Sequence, residues 1–480
     1  MKLVDLKTAI RVIIFFSASF GVIVSPAQHV IIPPYIQPGD VSTLTKEEKV
    51  VIWQTDGVSG TYTVEAFLDS DPTSKPVVGK VTSVKLDLND KTSYIYRATL
   101  EGLKFDETYS YKVRLGERPI SAGSFATRTK TDKTSFAVFG DCGIGSPHQA
   151  KIAYRVHQQK PQFALITGDM VYSFGREAEY RARFFPYYLA PVASPSRGAP
   201  LMNSIPFYML LGNHDIYSSN LDKHPDGLAY FYYNDLPLNA PIPASTVKAE
   251  GSSALVNTFA RNTSPRYPKM ANFSFDYGNV HITCLDANYY VNPLDPTLIE
   301  WLINDVKSSK ADWKIVAFHH PPFNSSPTHY DYQLMRVLAP VCEELGIDVV
   351  FSGHVHNYQR SVPLKFAPQK NRSNNYNILE SGRVNGKFTL DNNFDGITNT
   401  KPNGIIYIVS GAGGAALYDH QISGNPEKWK KGPPDNWAPY TSKLISDIHS
   451  FTMVETDGKK LTVKQIDIEG NTIDSILITK

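Results

Sequence analysis

Two hydrophobic rhythms divide the chain. From about residue 30 to 129, apolar and polar residues alternate in short runs, at 50–54, 62–66, 94–98 and 109–113. Period-two alternation marks strands with one buried face, and turn-rich stretches separate these runs. A polar run at 127–134 reads as a linker. Beyond it, apolar residues are near-continuous at 135–140, 163–167, 206–211, 313–318, 348–351 and 404–410. Such runs suit strands buried on both faces. Helical spacing falls at 149–158, about 176–188, 298–306 and 332–345. Strand–helix–strand alternation predicts βαβ units, with helices covering both faces of a sheet. Hairpins are expected at 273–285 around Gly278-Asn279 and at 451–467 around Asp457-Gly458, with 475–478 as a last strand. Residues 216–270 show no clear period, are rich in Asn, Pro and Ser, and read as an insertion near the mouth of a site.

The first 27 residues follow neither rhythm. Lys2, Lys7 and Arg11 precede an apolar stretch from Val12 to Val24, and Ser25-Pro26-Ala27 closes it. That is the pattern of a secretory signal peptide, so a secreted or periplasmic location is expected, with no stable membrane insertion after cleavage. The alternative is an uncleaved anchor, for which the apolar run is short.

Composition narrows the rest. A chain of 480 residues should hold two or three domains. A net charge of +2 gives no reason to expect a nucleic-acid partner. Three cysteines (Cys142, Cys284, Cys342) are too few for a disulfide scaffold. Sequons at Asn262, Asn272, Asn324 and Asn371 matter only if the host glycosylates.

Chemistry-bearing residues recur at one kind of place. Asp141, Asp169, Asn213, His319, His354 and His356 each come just after an apolar run, most of them behind a glycine. Strand tips on one sheet edge converge, and ligands of open α/β sheets gather beyond the carboxyl ends of strands. Carboxylate, carboxamide and imidazole suit Zn, Mn or iron. Asp169 offers two oxygens and could bridge two ions about 3.5–4 Å apart. Taken singly, each has a structural reading: Asp141 could cap a helix, His354 and His356 could share a strand face, and His319-His320-Pro321-Pro322 could be a turn. Their shared placement favours a metal site. Gly411-Ala412-Gly413-Gly414 lacks the lysine of a phosphate-binding loop and reads as a tight turn beside that site.

Gly140-Asp141-Cys142-Gly143, Gly168-Asp169-Met170-Val171-Tyr172, Gly212-Asn213-His214-Asp215, His319 and Gly353-His354-Val355-His356 together resemble the calcineurin-like metallophosphoesterases. Tyr172, three residues after Asp169, narrows the resemblance to the purple acid phosphatases. Residues 30–129 resemble a fibronectin type III module, with Trp53 in the core and Tyr109 at the corner, as in that family's larger members. The resemblance implies a four-layer metallophosphoesterase-type β-sandwich flanked by helices over 134–480, plus an N-terminal all-β fibronectin-like sandwich. It implies Asp141, Tyr172 and His356 around Fe(III), with Asp169 as the bridge. Asn213, His319 and His354 would hold a second, divalent metal (Zn, Mn or Fe). It implies acid phosphatase activity on small phosphorylated substrates, by attack of a metal-bound hydroxide. His214 would steady the phosphate or protonate the leaving group. His329, ten residues after His319, has the family's spacing for a substrate-contacting histidine; the plant-type enzymes place another just before it, where this chain has Thr328. That departure shifts weight to His214. His320 is expected to pack rather than to bind metal, and His148 and His281 match no role. The competing readings are a phosphodiesterase or nucleotide hydrolase on the same scaffold, and a non-catalytic surface-binding protein in which the β-sandwich is the active part.

Overall fold

A computed structural model describes residues 29–88, 91–429 and 439–480; the signal expected at 1–27 lies outside the described residues. The alternating runs of the N-terminal region form two four-stranded antiparallel sheets. One is ordered Val30–Gln37, Glu48–Asp56, Lys91–Glu101, Lys80–Leu88. The other is ordered Val77–Val78, Tyr62–Leu68, Thr108–Leu115, Arg118–Ala126. Trp53 is fully buried and stacks on Tyr96 with ring centroids 5.2 Å apart. The Tyr109 hydroxyl accepts from the Lys104 amide at 3.1 Å, the corner bond of such sandwiches.

The near-continuous runs build two larger sheets. The six-stranded sheet is ordered Phe207–Met209, Phe163–Ile166, Lys133–Phe139, Ser450–Asp457, Lys460–Asp467, Thr472–Thr479. Its first three strands are parallel, and the C-terminal strands join antiparallel. The seven-stranded sheet is ordered Phe273–Tyr277, Val280–Leu285, Trp313–Phe318, Val349–Ser352, Ile406–Ser410, Tyr358–Ser361, Thr441–Ile445. Its central four strands, from Val280–Leu285 to Ile406–Ser410, are parallel. One hydrophobic core lies between the sheets, with Phe136 and Phe163 on one side and Phe275, Ile315 and Phe351 on the other, while Phe139 turns away onto Tyr188 of the helix Phe185–Tyr188. Val316 and Phe318 face the opposite way, packing with Leu298 and Leu302 of the helix Pro296–Ser308. Each sheet therefore has one face on the shared core and another beneath helices, rather than a single sheet carrying helices on both faces.

Several expectations are corrected. The helix expected at 176–188 is split into Glu177–Glu179, a π turn at Tyr180–Phe184 and Phe185–Tyr188. Pro186 lacks the amide a regular helix needs there. The helix expected at 332–345 starts as a 3-10 turn, Leu334–Leu338, and becomes α only at Ala339–Glu344, where Pro340 stands in the first turn. The run at 127–134 is not a solvated linker: Thr127, Arg128 and Thr129 are buried. The Arg128 guanidinium pairs with Glu47 and donates to the carbonyls of Thr43, Lys46 and Asp276. The insertion at 216–270 includes a helix, Ser253–Thr263, and packs beside the N-terminal sandwich, bordering a cleft with Leu86 and Leu88. It contributes only Tyr217 to the lining of the site cavity described below. The side chains at two sequons, Asn272 and Asn324, are buried.

Candidate metal centre

The expected ligands meet at the carboxyl ends of the parallel strands. Asp141 follows Lys133–Phe139, Asp169 follows Phe163–Ile166, and Asn213 follows Phe207–Met209 in one sheet. His319 follows Trp313–Phe318, and His354 and His356 follow Val349–Ser352 in the other. Asp141, Asp169 and His354 have left-handed backbone, with φ of 55°, 53° and 66°. Such conformations cost of order 1–3 kcal/mol each and persist where the surroundings impose them. Here they turn the chain sharply at the tip, so the side chain points into the crevice. The preceding glycines allow the close approach. A Cβ at Gly212 would collide with Asp169, and one at Gly353 would meet Asp141 Oδ2 at 2.7 Å. The helix cap left open for Asp141 is supplied by Ser146, whose Oγ accepts from the Gln149 amide at 3.1 Å.

Two donor groups result. In the first, the Tyr172 hydroxyl lies 3.0 Å from His356 Nε2 and 3.3 Å from Asp141 Oδ1. In the second, His319 Nε2 lies 3.1 Å from Asn213 Oδ1 and 3.4 Å from Asp169 Oδ2. Ligand atoms of Asp169, His319 and His354 all fall within 4.8 Å of one another. His319 Nδ1 donates to the Thr167 carbonyl and His356 Nδ1 to that of Ala416, both at 2.7 Å. A backbone acceptor on one ring nitrogen leaves Nε2 as the lone-pair donor, as in metal-binding histidines. His354 Nε2 is buried with no hydrogen-bond partner. Orphaned polar atoms of this kind are rare, and this one fits a coordinated cation.

The electrostatics point the same way. Burial, reinforced by Asp169, pushes the Asp141 carboxyl well above its ordinary range despite nearby His319. Burial and the carboxylates of Asp169 and Asp141 drive the Tyr172 phenol far up. Burial drops His356 to about 4. For His319, burial is outweighed by Asp169, which lifts it to about 9. The buried carboxylates of Asp169 and Asp141, which hold the Tyr172 phenol and the His319 imidazole in their protonated forms, are negative charge that a cation would balance.

The donors open into a cavity of about 260 Å³. His214 lines it; its amide donates to Asp169 Oδ1 at 2.9 Å and its Nδ1 to the Ser173 carbonyl at 2.8 Å. His329 lines it too, with a φ of 61° and its ring centroid 4.2 Å from that of His354.

Residues 134–358 match the family of calcineurin-like phosphoesterases, and residues 40–131 match the purple acid phosphatase N-terminal domain. This chain belongs to the purple acid phosphatase family. It is 27% identical over 328 residues to purple acid phosphatase 23 of Arabidopsis thaliana, covering 62% of each chain. It is 30% identical over 246 residues to purple acid phosphatase 17 of the same plant, covering 49% of this chain and 66% of that one. A purple acid phosphatase from yellow lupin (Lupinus luteus) seeds shares the fold, with a TM-score of 0.62 at 15% identity, covering 93% of this chain and 74% of that one. The alignment with the Arabidopsis thaliana protein first named spans only about three-fifths of that protein's length.

Four cavity tyrosines escaped the sequence reading: Tyr217, Tyr289, Tyr332 and Tyr418. Tyr418 stacks on His356 at 4.1 Å. It follows the turn Gly411–Gly414 at another strand tip, so the rule that found the ligands reaches it. That turn does lie beside the site, with the Gly413 amide donating to the Gly140 carbonyl at 3.1 Å. Asp215 was also overlooked. It is buried and accepts from the amides of Gly212, Asp169 and Met170 at 2.8, 2.9 and 3.2 Å, tying two ligand turns together. His320 is buried and lies against His354, with centroids 4.2 Å apart.

Proposed function

We propose that this protein is a metal-dependent acid phosphatase that hydrolyses small phosphate monoesters. The observation that carries this reading is the convergence of Asp169, His319 and His354 donor atoms within 4.8 Å beside an unpartnered His354 Nε2. Asp141, Tyr172 and His356 would hold a ferric ion, since anionic oxygens suit a trivalent ion and only strong positive charge would ionise so buried a phenol. Asn213, His319 and His354 would hold a divalent ion, Zn, Mn or Fe, and Asp169 would belong to both. When bound, such ions supply charge neutralisation of the phosphate and an acidified water.

The chain's own residues supply orientation and protons. The Ser173 carbonyl fixes the His214 tautomer and leaves its Nε2 for the cavity. Protonated there, His214 can donate to a phosphate oxygen or to the leaving alkoxide. His329, beside His354, is placed to contact the ester from its own side. The cavity of about 260 Å³ is large enough to admit a phosphoryl group. Action outside the cytoplasm belongs to this proposal and rests on the pattern at 1–27.

The test is a panel of chromogenic mono- and diesters with metal analysis and a visible spectrum. Monoester hydrolysis in acid is expected to exceed diester hydrolysis, and Asn213→Ala is expected to lower kcat/KM at least 100-fold. Iron-loaded protein should show a tyrosinate band that Tyr172→Phe removes. Unchanged hydrolysis by the Asn213 variant would sink the reading and favour a non-catalytic role. A preference for diesters would favour the phosphodiesterase alternative.

A further inference from the structure

A second cavity of about 400 Å³ adjoins the candidate metal centre. That volume falls within the range of ligand pockets, roughly 300–1,000 Å³. Tyr289, His320 and Tyr332 line both cavities. The groove's remaining wall includes Met335, Ile378 and Leu379. Ile378 and Leu379 are 45% and 38% exposed, and Tyr289 and Tyr332 are 78% and 50% exposed. Exposed apolar side chains scattered singly need no explanation, but a contiguous set facing a groove does.

The outer wall is held in place rather than loosely draped. Arg383 pairs with Asp331. The Val384 amide donates to Gln333 Oε1 at 3.1 Å, and the Leu379 amide to the Arg383 carbonyl at 2.9 Å. Gly382, at φ +88°, sits where a Cβ would lie 2.9 Å from the Asp331 carbonyl. The segment carrying Ile378 and Leu379 is thus fastened to the stretch that carries His329 and Tyr332.

We propose that this groove is the leaving-group subsite, and that the preferred substrates are phosphate monoesters of apolar alcohols. The inference rests on the phosphatase reading above. It commits to the leaving group as occupant because of continuity. The His320 ring borders the groove and lies 4.2 Å, centroid to centroid, from the His354 ring. A molecule with its phosphoryl group among the ligands would lay its organic part past Tyr332 onto Ile378 and Leu379. Among the described residues no lysine or arginine lines the groove, and its one carboxylate, Glu380, disfavours an anionic or polynucleotide leaving group.

The experiment uses the metal-loaded full chain and the series ethyl, butyl, hexyl and octyl phosphate, in which the leaving alkoxides have nearly the same basicity. Full burial of a methylene is worth about a fourfold gain. The expected result is kcat/KM rising two- to fourfold per methylene until the groove is filled. In Ile378→Ser/Leu379→Ser, two exposed positions whose replacement should not disturb folding, the octyl-to-ethyl ratio should fall at least tenfold. Hydrolysis of every ester with a flat series would overturn the subsite while leaving the phosphatase reading intact. A steep series unchanged in the double variant would also overturn it, placing the apolar contact elsewhere. No hydrolysis of any ester would overturn both.

Discussion

Asp215 shows how much of the centre rests on a residue that would touch neither metal nor substrate. Its two oxygens take three backbone amides, from Gly212, Asp169 and Met170. An amide in its place would turn a donor toward a donor. We expect Asp215→Asn to weaken metal binding 10- to 100-fold, as loss of a residue supporting the ligands does elsewhere. Competition with a chelator would measure it, and excess metal should restore most of kcat. A loss of kcat that metal cannot rescue would place Asp215 in the chemistry instead. The glycines before the ligands have a similar standing. They were visible in the sequence as punctuation, yet the reason for them, the collision of a Cβ at Gly212 with Asp169, needs coordinates.

At the scale of elements, what could be read was whatever a period reveals. The buried strands ending at Phe139, Ile166 and Phe318 came from unbroken apolar runs, and the ligands from their tips. What stayed hidden was set by contacts distant in sequence. Residues 127–129 looked like a polar linker because their partners, Glu47 and Asp276, lie far off in the chain. The insertion at 216–270 has no period because it follows another domain's surface. His281 is a similar case. It carries no role in the resemblance, but on the strand Val280–Leu285 it sits between Asp276 at 2.8 Å and Asp305 at 3.0 Å. Burial alone would lower its pKa, but the two carboxylates outweigh that and raise it to about 9. A raised folded pKa gives stability that is complete below the unfolded value of about 6.5 and is lost as pH climbs through 9. The contribution is of order 3 kcal/mol. Urea unfolding at pH 6 and pH 9 should therefore show a stability gap between wild type and His281→Gln that shrinks at the higher pH. A gap that widened instead would contradict the ion triad.

At the scale of the whole molecule, the N-terminal sandwich is part of the same packed body. Ile32, Tyr35, Val50 and Ile52 belong to the same hydrophobic cluster as the large sheets and their helices, with Tyr35 against Phe185 at 5.1 Å. The Tyr233 hydroxyl lies 2.8 Å from Gln54 Oε1 and 2.9 Å from Glu177 Oε1, and Arg97 pairs with Asp235 at 3.1 Å. Arg128, fully buried with Glu47 and Lys49, closes the other end. Removing one member of a buried ion network costs about 3–5 kcal/mol. Arg128→Met should lower the urea midpoint accordingly, and both regions should still melt in a single calorimetric transition. Two separated transitions in the wild type would mean that the sandwich is a tethered module after all.

The donors at the centre come from both large sheets: Asp141, Asp169 and Asn213 from one, His319, His354 and His356 from the other. Ions lodged there would rivet the two halves of the sandwich at their shared seam. Slippage of one sheet past the other, even by a fraction of an ångström, would pull the donors apart before it opened the core. Damage anywhere along that seam would first register as leaking metal, with unfolding only later.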